Sequence, residues 1–507
     1  MSGVRRGTLG VLALAAALLG SRAVLALPRV AVGSKAFPES WILGDAVTEL
    51  VRASGSADAE HKKNLGGTEI AYQALVNGSI DVYPEYTGTI AEVILKTKGR
   101  PAASEVERRL RESGLGITRG LGFDDSYALA ATRAAAGRDG LAKISDLAKH
   151  PGLRVGLTHE FLGRADGYPG LARRYGLAMT DVRGLQHELA YDAMATGQID
   201  VTDIYTTDPQ IEKLSLVLLR DDLEFFPRYD AVLLYRLDLE SRAPEALRAL
   251  RRLEGTIDQS IMTRANAAVA LHRMSAEEAA RTLLREATGD ALSVPEATSE
   301  ATVRIGHNVL RHLELVGASL LFAIVLGVPT GILATRSRLI AVVALTGAGV
   351  LQTIPSLALL AFLIPLFGIG VLPALIALFV YSLLPIVRNT FTGLTSIPRS
   401  LSEAADAIGL SPLAKLALVT VPMASPSIMA GIKTSAIINV GTATLAALIG
   451  AEGLGNPIMQ GIALRDTRLI LEGAVPAAML ALLVEASFYL LERVVVPRGL
   501  RLSSRAS

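Results

Sequence analysis

Two regimes of hydrophobic patterning divide the chain. From about residue 27 to 287, short β-branched runs such as RVAVGS (29–34) and LRVGLT (153–158) alternate with amphipathic stretches such as SEVERRLRESG (104–114). No apolar run there reaches the ~20 residues that cross a bilayer. Strand-sized runs alternating with helical ones predict an α/β region with a largely parallel sheet. Residues 288–304 are small and polar and read as a linker.

After Glu314 the pattern becomes five long apolar segments, near 315–335, 339–365, 370–387, 426–450 and 471–492. Each is long enough to span a membrane, and the absence of alternation predicts a helical bundle over about 305–495. Pro355 is expected to kink or interrupt the second segment, and Pro365 lies at its end. Arg336 and Arg338 follow the first span, Arg388, Arg399 and Lys415 lie between the third and fourth, and Arg493, Arg498, Arg501 and Arg505 follow the fifth. With five spans these positions share one side, the cytoplasmic side, together with a tail over 496–507. The α/β region then lies outside. A shorter apolar run at 9–20 follows Arg5 and Arg6 and leads to Val24-Leu25-Ala26, the outline of a signal peptide over 1–26. Both signals place residues 27–287 on the periplasmic or extracellular face of a bacterial inner membrane.

Composition narrows the chemistry. The 507 residues include no cysteine, which removes disulfides, thiolate metal sites, cysteine nucleophiles and a lipoprotein anchor. A formal charge of +2 and no basic patch interleaved with aromatics give no reason to expect nucleic acid.

Within the α/β region one stretch occurs twice. EIAYQALVNGSIDVYPEYT (69–87) and ELAYDAMATGQIDVTDIYT (188–206) match at a constant offset of 119, with ten identities that include Gly78/Gly197, Asp81/Asp200 and Tyr86/Tyr205. A helix, a glycine stop and an IDV strand predict that each tyrosine sits at the carboxyl end of a sheet, where open α/β sheets bind ligands. Two such units suggest two lobes, about 27–126 with 229–287 and about 127–228, facing a shared cleft. Lys35 follows the first strand, Asp125 and Tyr127 lie near the first crossing, Arg164 lies in a Gly-rich stretch, and Tyr229 lies near the return crossing. Several tyrosines suit a cation without N–H donors, since ring faces attract it at roughly 0.5–2 kcal/mol each. A Lys and an Arg suit a carboxylate on the same ligand.

GSKAFPESWILG, LGGTEIAYQALVNGSIDVYPEYTGT, THEFLGRADGYPGL and DIYTTD…DDLEFFPRY resemble the substrate-binding proteins of glycine betaine, carnitine and choline ABC importers, over about 29–290. The resemblance implies a two-lobed periplasmic-binding-protein fold of type II, with two crossovers. It places an aromatic cage on Tyr86, Tyr127, Tyr205 and Tyr229, and polar contacts on Lys35, Thr89, Asp125 and Arg164. One departure is Arg228, where the family often has a second Pro before the tyrosine. EAADAIGLSPLAKLALVTVP (403–422) is similar to the EAA signature of ABC importer permeases, carried here by Glu403, Ala404, Ala405 and Gly409, with Val419 and Val421 where Ile and Leu are more frequent. This implies a helix pair with a Gly turn that couples to a separate ATPase, and two copies of the permease forming the pathway.

The phosphate loop G-x-x-x-x-G-K-[ST] does not occur; Gly431-Ile432-Lys433-Thr434 comes nearest and lacks the Gly before Lys. His159-Glu160 and His187-Glu188 lack zinc-protease spacing, and there is no G-x-S-x-G elbow. The expectation is a transport subunit, not an enzyme, with no catalytic residues, no metal and no cofactor. Its substrate is expected to be a quaternary ammonium zwitterion of the glycine betaine type; carnitine, choline and ergothioneine remain open, although Lys35 and Arg164 argue against choline. A ligand-sensing receptor is the alternative of another class, and the short tail leaves little room for its output domain. Glu485, inside the fifth segment, is a functional candidate without an assigned role.

Overall fold

The computed structural model describes residues 27–97, 101–164, 167–289, 301–464, 466–497 and 500. The expected signal peptide and most of the linker and of the tail lie outside the described residues.

Ten strands form two five-stranded sheets of matching design. The first has the order β2-β1-β3-β10-β4, from β1 (Arg29–Gly33), β2 (Asp58–Lys62), β3 (Val82–Tyr86), β4 (Leu115–Ile117) and β10 (Ala231–Arg236). The second has the order β7-β6-β8-β5-β9, from β5 (Tyr127–Ala131), β6 (Arg154–Thr158), β7 (Asp181–Leu185), β8 (Val201–Tyr205) and β9 (Val217–Leu219). In each sheet three strands run parallel and the remaining two join antiparallel to a neighbour. The chain leaves the first sheet before β5 and returns at β10, and the two crossing segments touch through an Asp124–Asp230 bridge.

The repeated sequence is a repeated structure. Helix α2 (Thr68–Val76) precedes β3, and α3 (His187–Ala195) precedes β8. Gly78 and Gly197 follow at φ of +77° and +68°, a left-handed backbone that glycine adopts without a Cβ penalty. Asp81 then accepts from Ala31 N–H at 2.8 Å, and Asp200 from Arg154 N–H at 3.0 Å, tying each central strand to its parallel neighbour. Both strands outrun that neighbour. The β1 ladder with β3 is recorded at Val82, so Pro84 lies beyond it and forfeits no β1 bond. Beyond that neighbour the last residues, Tyr86 and Tyr205, stay paired on the other side only, with Ala231 and Tyr127.

Helix α1 (Pro38–Ala53) is buried from Glu39 to Val51. Its apolar residues join the core of the domain, and its acids must find partners there, since a buried charge is costly unless paired. Glu49 meets Arg281 of α5 (Ala276–Thr288) at 3.3 Å, and Asp45 meets His61 and Lys63 at 2.6 and 3.0 Å. Glu39 contributes to the cleft. Helix α4 (Gln259–Ala270) packs beside α1.

The second half is all helical: α6 (Ala301–Ala334), α7 (Arg338–Thr353), α8 (Ser356–Phe367), α9 (Val371–Thr395), α10 (Arg399–Ala407), α11 (Val421–Thr442), α12 (Gly455–Ala463) and α13 (Thr467–Val495). Among the described residues four helices are long and apolar enough to cross a membrane, and α7 with α8, bent by 97° at Ile354-Pro355, brings the number to five if the pair is one span. The outer end of α8 reaches the binding region: Asn77 Nδ2 donates to Ile364 O at 3.4 Å. The first helix begins well before the apolar segment anticipated at 315. Arg304, His307, Arg311 and Glu314 continue the same helix outside the apolar stretch, and Arg304 pairs with Glu472 of α13 at 2.8 Å. Hydrophobicity marks the bilayer portion of a helix, not its ends. The last residues of the anticipated linker, 301–304, accordingly belong to α6.

Candidate functional site: a cleft between two lobes, roofed by a helix of the membrane half

A cavity of about 350 Å3 lies between the sheets, and all eight anticipated residues line it: Lys35, Tyr86, Thr89, Asp125, Tyr127, Arg164, Tyr205 and Tyr229. That volume falls in the range of small-molecule sites. Its sequence-distant walls come from both lobes, from the crossing segments, and from Leu448, Met459, Ile462 and Ala463 of the membrane half. The mouth of the cleft therefore faces α12.

The aromatic residues converge. Tyr127 lies opposite Tyr205 in the β5–β8 ladder, with ring centroids 5.1 Å apart, and Tyr229 meets Tyr127 edge-on at 5.6 Å. Phe37 stacks on Tyr205 at 6.1 Å, and His187 lies 4.7 Å from the same ring. Burial pushes the phenols of Tyr86, Tyr127 and Tyr205 well above their ordinary range, so the rings are neutral and offer their faces. Tyr86 stands on the other lobe, its hydroxyl donating to Glu39 Oε1 at 2.7 Å.

The cations are already answered from within the chain. Lys35 Nζ donates to Glu85 Oε1 at 2.6 Å and to Thr68 Oγ1 at 3.1 Å. Arg164 donates to Glu160 Oε1 at 3.2 Å and to Thr89 Oγ1 at 3.5 Å, while its guanidinium lies 5.5 Å from the Tyr127 ring. Thr68 also donates to Glu160 at 3.4 Å. The Arg164–Thr89 and Thr68–Glu160 bonds link the lobes across the cleft. A second, smaller hollow of about 50 Å3 adjoins it, lined by Phe37, Glu39, Asp125, His187, Asp208 and Asn266 among others. A larger hollow of about 1120 Å3 lies on the outer face of the first lobe. It is lined by cations such as Arg119 and Arg228, which pair with Glu254 and Asp230, and it collects no aromatic cage.

Sequence reading missed Phe37, Glu39, Glu85, Glu160, His187 and Thr207, as well as the α12 residues. Phe37 and Glu39 stand two and four positions after Lys35, and Thr207 follows the second copy of the Tyr-Thr pair; proximity to those motifs was the available signal.

Ser34, His61 and Asp45 have the contacts of a hydrolytic triad: Ser34 Oγ donates to His61 Nε2 at 2.8 Å, and Nδ1 donates to Asp45 at 2.6 Å. Ser34 is fully buried and lines neither cleft hollow, so the group acts as a structural tie.

In the membrane half, α10 carries Glu403, Ala404 and Ala405, and Gly409 turns at φ +79°. Ala405 is buried, whereas Ile408 and Leu413 are 75% and 73% exposed. Lys433 of α11 lies 3.4 Å from Glu485 of α13, which gives the intramembrane acid a partner.

Residues 28–286 match the substrate binding domain of ABC-type glycine betaine transport systems. The chain belongs to this family. Residues 327–500 match the inner membrane component of binding-protein-dependent transport systems. This fused substrate-binding and permease chain of an ABC importer is therefore a multi-pass inner-membrane protein, with its binding domain outside the cytoplasm. Among its relatives, the osmoprotectant import permease protein OsmW of Salmonella typhimurium is 44% identical over 196 residues, 38% of this chain and 91% of that protein. The carnitine transport permease protein OpuCB of Listeria monocytogenes is 44% identical over 200 residues, 39% of this chain and 92% of that protein. A solved glycine betaine/carnitine/choline ABC transporter structure is 29% identical, covers 50% of this chain and 97% of its own, and has a TM-score of 0.43. The importer reading replaces the receptor alternative, because both halves match transport components.

Proposed function

We propose that this importer captures a quaternary ammonium compound between the faces of Tyr86, Tyr127, Tyr205 and Tyr229, with Arg164 and Thr89 at the polar end and Asp125 alongside. The convergence of neutral tyrosine rings from both lobes on one cavity carries this reading. Ring faces suit a methylated ammonium, which has no N–H to donate. The two cations that argue against choline are each paired with a carboxylate, Glu85 or Glu160, which weakens that argument. Glycine betaine remains the first candidate, since Arg164 can turn from half-exposed Glu160 toward a ligand carboxylate.

A separate ATPase docks on the loop around Glu403, Ala404, Ala405 and Gly409. Ile408 and Leu413 beside the Gly409 turn are large exposed apolar side chains, as a protein–protein contact requires. Two copies of the chain form the pathway. The half-exposed Lys433–Glu485 pair supports this, because charged groups facing lipid are costly and a second copy would cover them.

Titration calorimetry of the full chain in nanodiscs, against glycine betaine, choline, carnitine and ergothioneine, tests the substrate class. Binding of betaine, weakened in Tyr205→Ala, is the expected outcome. Binding of ergothioneine alone would move the substrate, and no binding of any of the four would overturn the cage.

A further inference from the structure

Glu39 and Asp125 are buried carboxyls from α1 and the first crossing segment, and one hydroxyl stands between them. Thr207 Oγ1 lies 2.7 Å from Glu39 Oε2 and 2.6 Å from Asp125 Oδ1. A hydroxyl has one hydrogen and donates once. Both contacts are at hydrogen-bond distance, so the second requires a hydrogen from a carboxyl, donated to Thr207 Oγ1. The hydrogen count thus asks for one proton on the pair.

The surroundings agree. Glu39 also accepts from Tyr86 O–H at 2.7 Å and from Asn266 Nδ2 at 2.7 Å, and Asp125 accepts from Thr207 N–H at 3.2 Å. Among the described residues no Lys, Arg or His pairs with either carboxyl. The next charged group is Asp208, an acid, held by His187 at 2.9 Å and by the Tyr191 hydroxyl. Burial, then the neighbouring acids, raise both carboxyls above their ordinary range.

Asp125 lines the same cavity as the tyrosines. We propose that Glu39 and Asp125 share one proton through Thr207, and that a cationic ligand without a carboxylate expels it to solvent, whereas a zwitterion leaves it in place. The inference rests on the quaternary-ammonium reading of the cleft. A ligand with a net positive charge beside Asp125 stabilises the second carboxylate, and the freed proton passes to water. A zwitterion brings its own anion and gives no such net stabilisation. Glu39 is thereby a specificity residue: it sets how strongly pH governs the capture of cations relative to zwitterions. Because Glu39, Asp125 and Thr207 come from α1, the crossing and the segment after β8, the shared proton also ties the two lobes.

The test is calorimetry of the full chain in nanodiscs near neutral pH, in phosphate and in Tris, which differ in ionisation enthalpy. The dependence of the apparent enthalpy on buffer counts protons. Choline is expected to release about one proton and to bind up to roughly tenfold tighter per pH unit, while glycine betaine releases close to none. In Glu39→Gln the amide supplies the second hydrogen to Thr207, Asp125 stays ionised, and choline binding loses its proton release. Equal proton counts for the two ligands, or undiminished release in Glu39→Gln, overturn the proposal. Infrared spectroscopy of the ligand-free chain gives an independent reading: a protonated-carboxyl stretch that disappears in Glu39→Gln and shifts in Thr207→Val. Absence of that band overturns the shared proton even if neither ligand binds, an outcome that by itself would count against the substrate reading.

Discussion

The Lys35 ammonium lies 2.6 Å from the carboxylate of fully buried Glu85 and 5.5 Å from the centre of the Tyr86 ring. Glu85 Oε1 also accepts from Tyr86 N–H at 3.0 Å. Lys35 is thus the counter-ion of an internal acid before it is anything to a ligand. Replacing it with Met leaves Glu85 charged and buried, and breaking such a pair costs about 3–5 kcal/mol. Chemical denaturation of Lys35→Met should show that loss, and Lys35→Met combined with Glu85→Gln should recover much of it. If Lys35→Met were as stable as the parent, the pair would have no structural role.

Tyr205 separates ring face from hydroxyl. Its ring touches those of Phe37, Tyr127 and His187, and its phenol is held neutral by burial. If the face holds the ammonium, Tyr205→Phe keeps binding within a few fold. Tyr205→Ala loses one face and weakens binding by roughly 2- to 30-fold, the equivalent of about 0.5–2 kcal/mol. Calorimetry with glycine betaine on both variants checks this; equal losses in Phe and Ala would transfer the role to the hydroxyl.

How far the site was legible follows from where its signals lie. Tyr86 and Tyr205 could be found because each is part of a local grammar: a helix, a positive-φ glycine and a strand recur at an offset of 119. Local grammar also exposed the break at Pro355 and the Gly409 turn. Glu39 could not be found this way, because its meaning depends on Thr207, 168 positions away, and on Asn266, 227 positions away. Lys35 was found, but the Glu85 carboxylate that occupies it was not, since strand pairing and not spacing brings them together. The α12 roof depends on packing between the two halves, which no periodicity encodes.

His61 predicts acid lability of the first lobe. Burial lowers its pKa from the ordinary 6.5, against the pull of Asp45. Above about pH 6.5 the ring is neutral in both folded and unfolded chains, and its contribution is fully present. As pH falls below that value the unfolded chain takes up a proton that the folded ring resists, so stability is lost, by at most about 1.4 kcal/mol per pH unit. Protonation at Nε2 would also remove the acceptor for Ser34 O–H. His61→Gln can keep both bonds and cannot titrate. Thermal unfolding should show a falling transition for the parent between pH 7 and 5, and a shallower fall for His61→Gln. Parallel slopes would remove His61 as the cause.

Ile408 and Leu413 separate capture from coupling. Both flank the Gly409 turn, both are about three-quarters exposed, and neither lines the cleft. Exposed apolar side chains contribute little to folding, so changing them to Asp should leave the melting temperature within a few degrees. An apolar anchor lost from an interface typically costs 1 kcal/mol or more of association, and a charge placed there adds a desolvation cost. Ile408→Asp with Leu413→Asp is therefore expected to keep glycine betaine binding by the full chain in nanodiscs at its parental affinity. The same variant should lose ligand-stimulated ATP hydrolysis and uptake when the chain is reconstituted with the proposed partner ATPase. Weakened binding with intact hydrolysis would reverse the assignment, placing this loop in contact with the binding domain instead of a motor.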